Sequence, residues 1–375
     1  MRFHWFILKN IIRRRFRSTF TIVGVAVAVG AVVALVSFST GFASSFAEMY
    51  EGRNIDLVVT KAGVTERITS AIDERLEDTF KSMPNVRDVA PEMLDVVSFP
   101  DFDLIGVLAL GWRPGAMQFK NLTLLEGKRL DSAGLQVMLG TVLAKNLGKK
   151  VGDKLVLYDS GSFEVVGVYR SFAMQENNGL IVPLVQLQRL LDRKKQVTLF
   201  DIMTKNPSDK QATEALIKRI ESLGKGLSAQ TTAAYVQGNT QIRASRAMAW
   251  VISTIALVIG AVGVLNTMVM SVAERTQEIG ILRAIGWRRV RVVRMILAES
   301  LALSMIGALV GTAGALLLNR LLASLPSTSG LITGQIMPGV IVQGFIVALV
   351  VGLLGGIFPA LHGARLLPTE ALRHE

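Results

Sequence analysis

Two long stretches of this sequence contain no charged side chain. The first comprises the 30 residues between Arg17 and Glu48, and the second comprises the 27 residues 247–273. An α-helix rises 1.5 Å per residue, so even the shorter stretch would extend about 40 Å, whereas the hydrocarbon core of a bilayer is about 30 Å thick. Both are therefore predicted to cross a membrane as helices. Tilt could absorb the excess length, but we favour helices that continue outside the bilayer as a stalk.

The first apolar stretch has a rival interpretation as a signal peptide. It follows a basic segment, and small residues, Ala43, Ser44 and Ser45, lie near its end. However, the stretch is about twice as long as the apolar part of a typical signal peptide. We therefore interpret it as a membrane helix that is kept in the mature protein.

Two further apolar stretches complete the predicted fold class. It is an integral membrane protein with four transmembrane α-helices and a mixed α+β extracytoplasmic domain inserted between helices 1 and 2. The predicted segments, in chain order, are an amphipathic cytoplasmic helix (1–17), a first span with its stalk (18–47), the extracytoplasmic domain (48–240), a stalk with the second span (241–273), a charged cytoplasmic region (274–299), a third span (300–322), an external loop (323–338), a fourth span (339–361) and a cytoplasmic tail (362–375).

Positive charge lies beside the membrane segments. The formal net charge of +12 could by itself indicate a nucleic-acid partner. Residues 1–19 carry six basic and no acidic side chains, and residues 274–299 carry six Arg against three Glu, whereas residues 43–246 hold 26 basic and 24 acidic side chains. Basic residues concentrate at the cytoplasmic face of membrane proteins, near anionic lipid head groups. The pattern predicts contact with membrane lipid, no nucleic acid, both termini in the cytoplasm and the near-neutral domain outside.

Residues 48–240 have the composition of a soluble domain and are numerous enough to bury a core. Segments 154–158 and 162–170, separated by a short turn, predict a β-hairpin, and the stretch 172–180 is expected to be an exposed loop. Strand-like spacing also occurs at 54–61, 96–99 and 104–110, and helical spacing occurs at 70–83 and 209–223. The domain is thus predicted to be mixed α and β.

The sequence contains no recognisable catalytic constellation. It has no cysteine, and its three histidines, His4, His362 and His374, lie outside the large domain, so a histidine-based metal site or triad is not expected there. A phosphate-binding Walker A loop needs a glycine five residues before a Gly-Lys pair. None of the three Gly-Lys pairs has one. We therefore predict no catalytic, metal or cofactor site in this chain.

Small residues recur within the predicted spans. In membranes such residues allow helix backbones to approach closely, and amides form hydrogen bonds between helices. The residues predicted to serve helix packing are Gly260, Gly263, Asn266, Gly307, Gly311, Gly352, Gly355 and Gly356.

A short charged segment separates the second and third spans. Between Glu274 and Gly286, apolar residues recur at every third position, namely Ile279, Leu282 and Ile285, while the charged residues take other directions. This spacing predicts a short amphipathic helix that ends at Gly286. From the spacing alone, a solvated loop helix and a helix that docks onto another protein are equally open.

The charged segment resembles a known family signature. It is similar to the sequence that follows the second span in the MacB/FtsX-like permeases, the mechanotransmission (type VII) class of ABC transporters. The matched positions are Glu274, Arg275, Glu278, Ile279, Gly280, Arg283, Ala284 and Gly286. Pro359, Arg365 and Pro368 also resemble the ending of these permeases. Leu361 and His362 depart from it, because basic residues are usual there.

The resemblance implies a function and a set of partners. The eight matched residues would couple the permease to a separate dimer of ABC ATPase subunits, which would bind ATP and Mg, since this sequence shows no ATPase domain. A second permease copy or a homologous permease, and a periplasmic adaptor or substrate protein, would be further partners. The location would be the bacterial inner (cytoplasmic) membrane.

Two functions remain open at this point. The leading one is a permease subunit that uses ATP hydrolysis to move its extracytoplasmic domain and so export or extract a substrate of the efflux, lipoprotein or lipid type. The alternative is an FtsX-like signalling permease that activates an extracytoplasmic partner such as a cell-wall hydrolase. The size of the external domain favours the first.

Overall fold

The computed structural model describes residues 15–64, 67–131, 134–158, 161–325 and 336–366, with side chains from residue 18 onward. Most of the predicted amphipathic helix (1–17), most of the external loop (323–338) and the end of the predicted tail (362–375) lie outside the described residues. The chain divides into two compact units. One comprises residues 1–40, 245–321 and 334–375, and the other comprises residues 41–244 and 322–333.

The secondary structure of the described residues is numbered along the chain. The helices are α1 (Arg15–Glu51), α2 (Leu76–Lys81), α3 (Thr141–Leu147), α4 (Met174–Asn177), α5 (Leu184–Leu190), α6 (Lys210–Glu221), α7 (Thr232–Gly238), α8 (Thr240–Glu274), α9 (Thr276–Ala284), α10 (Arg289–Ser324) and α11 (Pro338–Arg365). The strands are β1 (Leu57–Lys61), β2 (Ile72–Asp73), β3 (Val86–Phe99), β4 (Leu104–Trp112), β5 (Thr123–Gly127), β6 (Gln136–Gly140), β7 (Lys154–Val156), β8 (Ser162–Arg170), β9 (Leu180–Pro183), β10 (Gln196–Val197), β11 (Leu199–Thr204) and β12 (Leu227–Thr231).

The four predicted membrane-spanning helices are confirmed as α1, α8, α10 and α11, each long and apolar enough to cross a bilayer. At 37, 35 and 36 residues, α1, α8 and α10 exceed the length that a bilayer core requires. Helix α10 begins at Arg289, well before the predicted start at residue 300. The reason is that Val292, Met295 and Ile296 are buried on one face of the helix while the neighbouring arginines lie on the other.

The membrane unit is packed through contacts at glycine. A Cβ atom at Gly311 of α10 would collide with the backbone of Ala26 in α1, and one at Gly307 would lie 2.7 Å from the Cβ of Val25. A Cβ atom at Gly260 of α8 would lie 3.2 Å from that of Ala28. These helices therefore approach at distances that only glycine permits.

Helix α11 packs in the same way. A Cβ atom would lie 2.7 Å from the Val264 Cβ if placed at Gly355, 2.7 Å from the Ser300 Oγ if placed at Gly356, and 2.9 Å from the Ser304 Oγ if placed at Gly352. The Ser300 hydroxyl donates a hydrogen bond of 2.6 Å to the carbonyl oxygen of Gly352. Small residues here bring a polar side chain within reach of a neighbouring backbone, as membrane helices require.

Two of the predicted packing residues lie elsewhere. A Cβ atom at Gly263 would meet no described atom within 4 Å, and Asn266 is exposed, with no hydrogen-bond partner for its side chain among the described residues. Both residues lie on the face of α8 that is directed away from the other helices of the unit. The packing role predicted for them stays a prediction.

The second unit is built on a ten-stranded mixed sheet with the order β12-β1-β11-β3-β4-β9-β6-β8-β5, in which β7 pairs with β8. The predicted hairpin is present as the antiparallel pair β7 and β8. A two-stranded sheet, β10-β2, lies apart from the large one. The predicted helix over 70–83 is wrong in its first half, because Ile72 pairs with Val197 in the small sheet and the helix starts only at Leu76.

Both faces of the large sheet are covered by apolar cores. Side chains alternate along a strand, so Leu57 and Val59 of β1 belong to one core while Val58 between them belongs to the other. The first core includes residues of α2 and α6, such as Phe80 and Leu216. The second includes the end of α1, the helix α7, and the residues Trp112 and Phe119.

The close approach of α1 and α10 can be tested with two glycines of one helix. Gly311→Ala should destabilise the protein by about 1–3 kcal/mol, because the added methyl group overpacks the contact with α1. Gly314→Ala is the matched control, since a Cβ atom there would meet no described atom within 4 Å. It should be neutral or stabilise by about 0.5–1 kcal/mol, because alanine is the better helix former. Thermal unfolding of the purified variants in detergent gives both values, and equal stabilities would contradict the packing.

Candidate coupling site

The charged segment predicted from sequence forms a corner between α8 and α10. Helix α8 ends at Glu274, and Arg275 leaves the helical conformation with φ −108° and ψ 17° before α9 begins. The Arg275 guanidinium donates 3.0 Å hydrogen bonds to Glu278 through Nε and to Glu299 through Nη1. Arg275 and Glu299 are both buried. This ion pair therefore fixes the turn out of α8 to the side of α10.

Gly286 ends α9, as the sequence predicted. Its φ of 98° lies in the left-handed region that favours glycine. The Gly286 N–H donates to the carbonyl of Arg283 at 3.1 Å, and the Trp287 N–H donates to the carbonyl of Leu282 at 3.0 Å. These two bonds form a Schellman motif, which satisfies the last carbonyl groups of the helix and reverses the chain toward α10.

The apolar side chains of α9 divide differently from the predicted pattern. Ile279 is buried and Gly280 packs beside it, but Ile285, predicted to share the apolar face with Ile279 and Leu282, is 70% exposed. Ile281, which the period of three did not single out, is 51% exposed. The helix repeat of 3.6 residues explains the difference. Ile281 and Ile285 are four residues apart and share one face of the helix, whereas Ile285 is six residues from Ile279 and lies on a different side.

Charged and small groups surround these two exposed isoleucines. Glu274, Glu278 and Ala284 are exposed as well. Arg283 is half-buried, and its Nε atom is shielded from solvent without a hydrogen-bond partner in the described part of the chain. The outer surface of α9 thus combines an apolar pair with charges of both signs, which is a composition suited to contact with another protein.

A cavity of about 760 Å³ lies between α8, α9 and α11. Val272 and Pro359 contribute apolar walls, and Gln277 and His362 contribute polar groups. The His362 ring stacks on that of Phe358 with centroids 6.3 Å apart. One side of α9 is therefore only loosely packed against its neighbours.

A second polar cluster, which sequence reasoning missed, is buried in the mixed α/β domain. Arg53, just beyond α1, donates a hydrogen bond of 2.6 Å to Glu176, and the two side chains are 5% and 0% exposed. The Arg53 guanidinium also lies 4.7 Å from the ring centroid of Trp112. Glu176 belongs to α4, within the stretch predicted to be an exposed loop, so that prediction is wrong. The stretch is polar in sequence and therefore resembles a surface loop, but its Glu176 is buried because it pairs with the buried Arg53.

Two more buried carboxyl groups face the same core. Glu92 accepts a 3.0 Å hydrogen bond from the Trp112 indole, and Asp201 accepts one of 3.2 Å from Gln118. Burial, followed by the charge of Glu92, raises the pKa of Asp201 well above its ordinary value. Burial also raises the pKa of Glu92, against the opposing effect of Arg53. Burial thus favours the protonated form of both carboxyl groups, and that of Asp201 most strongly.

The described residues contain no group of three or more His, Cys, Asp or Glu side chains that could hold a metal ion. The polar clusters therefore consist of ion pairs and hydrogen bonds among protein groups. Their chemistry is that of fixing backbone segments in position.

Comparison with known proteins identifies the two units. Residues 18–220 match the family model of the MacB-like periplasmic core domain, and residues 250–368 match that of the FtsX-like permease C-terminal domain. Two solved structures resemble the mixed domain at low identity. One is the periplasmic region of MacB from Actinobacillus actinomycetemcomitans, with 13% identity and a TM-score of 0.39, where the match covers 49% of this chain and 91% of that chain. The other is the extracellular domain of the transporter YknZ from Gram-positive bacteria, with 14% identity and a TM-score of 0.36, where the match covers 47% of this chain and 98% of that chain.

Full-length relatives align with nearly the whole chain. The macrolide export ATP-binding/permease protein MacB of Bdellovibrio bacteriovorus is 26% identical over 96% of this chain, and the pyoverdine export ATP-binding/permease protein PvdT of Pseudomonas syringae pv. tomato is 27% identical over 96%. The chain spans 59% and 58% of these two proteins. An uncharacterized ABC transporter permease of Methanocaldococcus jannaschii is 28% identical, with 99% of this chain and 97% of the relative covered.

The fold is that of a multi-pass permease of the ABC-transporter type. It has four membrane helices, the corner between α8 and α10, and the inserted mixed α/β domain. The two family matches lie in that order along the chain, and the first alone covers more than half of it. The chain belongs to the MacB/FtsX-like ABC transporter permeases.

The raised pKa of Asp201 predicts a pH-dependent effect of one substitution. An unfolded aspartate ionises near pH 4, so folding of the wild type must take up a proton above that pH, at a cost of about 1.4 kcal/mol per pH unit until the raised pKa of Asp201 is reached. Asp201→Asn removes this cost. The thermal stability of this variant relative to the wild type should therefore rise as the pH increases above 4.5, until the pKa of folded Asp201 is passed.

The exposed Asp101 provides the control for this measurement. Asp101→Asn should show no such growth over the same pH range, because its carboxyl group has similar surroundings in the folded and unfolded chain. If the difference between Asp201→Asn and the wild type were constant with pH, Asp201 would be ionised in the folded domain and its pKa would not be raised.

Proposed function

We propose that this chain is the permease subunit of an ABC transporter in which ATP hydrolysis by a separate nucleotide-binding subunit drives movement of the extracytoplasmic domain. The movement would export or extract a substrate of the efflux, lipoprotein or lipid type. The observation that carries the proposal is the outer surface of α9, where Ile281 and Ile285 are exposed beside charged groups although the rest of the helix is anchored. The names of the MacB and PvdT relatives support export as the direction of transport.

Helix α9 would act as the coupling helix. The Arg275–Glu299 ion pair and the glycine-terminated turn hold both of its ends, so a push on its exposed face would be passed to α8 and α10. The eight residues of the family signature then serve two purposes. Arg275, Ile279 and Gly286 build the corner. Glu278, which pairs with Arg275 but is exposed, and Arg283 would face a partner along with the two isoleucines. The loosely packed side beside the cavity would leave room for α9 to shift.

The ATPase would be a separate dimer that binds ATP and Mg. The relative from Methanocaldococcus jannaschii supports a permease without its own ATPase, since this chain covers 97% of it. By contrast, MacB and PvdT are described as ATP-binding and permease proteins in one, and this chain corresponds to about three fifths of each. The permease itself would then have no enzymatic activity.

A second permease copy would cover the exposed face of α8. The most apolar 18 residues of α8 are 22% buried within the chain, compared with 39% in each of the other three spanning helices. Gly263 and Asn266 lie on this exposed face, where a glycine permits close approach and the amide has no partner in the described part of the chain. Both features suit a contact between identical helices in a dimer. The functional complex would thus contain two permeases and two ATPases, with a periplasmic adaptor or substrate protein as a further partner.

The proposed location is the bacterial inner membrane with both termini in the cytoplasm. Exposed arginines cluster at the start of α10, at Arg288, Arg289, Arg291 and Arg294, as expected for the cytoplasmic side of a membrane and its anionic lipids. This orientation places α9 beside the ATPase and the mixed α/β domain outside.

The coupling role of α9 is tested by changing its exposed isoleucines. Ile281→Asp and Ile285→Asp should each weaken binding of the ATPase subunit about tenfold or more, because a charge replaces an apolar anchor at an interface. Ile281→Val and Ile285→Val, which keep the apolar surface, are the matched controls. Co-purification and ATPase titration of the solubilised permease give the affinities. Wild-type binding by both aspartate variants would rule out this surface as the docking site.

The orientation is tested with introduced cysteines, since the chain has none of its own. Ser208→Cys in the mixed domain should react in intact cells with a thiol reagent that cannot cross the membrane, because residue 208 is exposed and the domain lies outside. Arg288→Cys, at the start of α10, should react only after the membrane is permeabilised. The reverse pattern would invert the proposed topology.

A further inference from the structure

Arg67 lies at the centre of an aromatic cluster in the mixed α/β domain. Its Nη1 donates hydrogen bonds to the hydroxyl groups of Tyr50 at 3.1 Å and Tyr235 at 3.4 Å. Its guanidinium also lies 4.0 Å from the ring centroid of Phe46 and 5.4 Å from that of Tyr235. One side chain thus contacts three aromatic residues through hydrogen bonds and cation–π interactions, which together we call the Arg67 cluster.

The aromatic residues also contact one another. The rings of Phe46 and Tyr50 lie 5.8 Å apart, and those of Tyr50 and Tyr235 lie 5.6 Å apart in an edge-to-face arrangement. Phe46, Tyr50 and Tyr235 are each less than 10% exposed. The cluster is therefore a packed part of the core, in which removal of the central cation would leave two buried hydroxyl groups without their partner.

The members of the cluster come from the two places where spanning helices connect to the domain. Phe46 and Tyr50 belong to the last turns of α1. Tyr235 belongs to α7, which is separated from α8 by the single residue Asn239. The Asn239 side chain accepts a 3.1 Å hydrogen bond from the Ile242 N–H and so caps α8. Arg67 itself comes from the loop between β1 and β2 and belongs to neither connection.

A second set of contacts joins the same two parts of the chain, the segment after α1 and the helix α7. The Thr232 N–H at the start of α7 donates to the carbonyl of Asp56 at 2.9 Å, and the Thr232 hydroxyl donates to the carbonyl of Ile55. Residues 55 and 56 lie in the short segment between α1 and β1. The connection after α1 and the connection before α8 are thus held together by backbone contacts as well as by Arg67.

We propose that Arg67 is a positioning residue that joins the end of α1 to α7, so that the two helical connections behave as one rigid joint within the domain. A displacement that arrives along α1 and α8 would then move the domain as a whole, whereas a loose joint would absorb it by bending. The contacts described above are the evidence for the joint, whereas its role in transmitting a displacement to the domain rests on the proposed function.

The geometry favours arginine at this position. A guanidinium can present N–H groups to two hydroxyls while its flat face lies on a ring, whereas an ammonium is a compact point charge without such a face. Lysine at position 67 would keep the charge but lose part of the contact set. Arg67→Lys should consequently behave between the wild type and Arg67→Met.

Hydrogen exchange of the full-length permease in lipid nanodiscs, without nucleotide, tests the joint. In Arg67→Met, amides in residues 46–51 and 232–238 should exchange about tenfold faster or more, because a charged hydrogen-bonding group has been removed from both segments. Amides in β3 and β4 should be unchanged. Arg129→Met, which removes an exposed arginine of the same domain, is the matched control and should leave all these rates unchanged.

Two results would overturn the joint. One is wild-type exchange in both segments of Arg67→Met, and the other is a uniform acceleration that includes β3 and β4, which would mean that Arg67 serves only the general stability of the domain. If Arg67→Met does not fold, Tyr235→Phe replaces it, because this change removes a single hydroxyl. Acceleration confined to the same two segments then supports the joint, and unchanged exchange overturns it.

A second arm adds the ATPase subunit, Mg-ATP and vanadate. The wild type should show a nucleotide-dependent change of exchange in the mixed domain. Arg67→Met should lose this change, although a separate assay without vanadate should show that ATP is still hydrolysed. Retention of the full change in Arg67→Met would overturn the role of Arg67 in transmission. If the wild type itself shows no change, the proposed function is wrong, while the measurement without nucleotide still decides whether Arg67 forms the joint.

Discussion

Helices in a bilayer gain no hydrophobic energy by leaving lipid for one another, so the membrane unit depends on how closely its backbones approach. Gly311 provides the closest of these approaches, against the backbone of Ala26, and Gly307, Gly355 and Gly356 extend the same principle to the other helices. Close approach also permits polar contacts, such as the bond from Ser300 to the Gly352 carbonyl. The Thr21 hydroxyl similarly donates a 2.8 Å hydrogen bond to that of Thr267, which joins α1 to α8. Van der Waals contact and a few hydroxyl bonds thus replace the hydrophobic effect as the source of specificity.

Buried ion pairs fix the segments where the chain changes direction. Arg275 with Glu299 holds the corner after α8, and Arg53 with Glu176 holds the segment after α1. Removing one partner of such a pair typically costs about 3–5 kcal/mol, because the remaining charge stays buried and uncompensated. A pair of this kind tolerates few alternative positions for either backbone segment. We infer that both pairs serve to define geometry at points through which a mechanical displacement would have to pass.

The candidate coupling site combines a rigid frame with an unsatisfied surface. The frame consists of the Arg275 ion pair and the Schellman turn at Gly286, and the surface consists of Ile281 and Ile285 with their charged neighbours. A helix that served only to connect two spans would gain nothing from exposing two isoleucines to water.

The sequence by itself determined the elements whose signals are local. Uncharged stretches longer than a bilayer core predicted α1 and α8, a glycine predicted the end of α9, and the spacing of the charged segment carried the family resemblance. Only the tertiary structure decided which side chains meet. In sequence, Glu176 looks like a loop residue, but in the structure it pairs with Arg53, more than a hundred positions away. Ile285 looks like a core residue in sequence, but α9 packs with Ile279 buried and Ile285 exposed. Gly263 and Gly311 are alike in sequence, yet only the latter faces another helix. Local patterns report the preferences of neighbouring residues, whereas burial and pairing depend on distant segments that no short window contains.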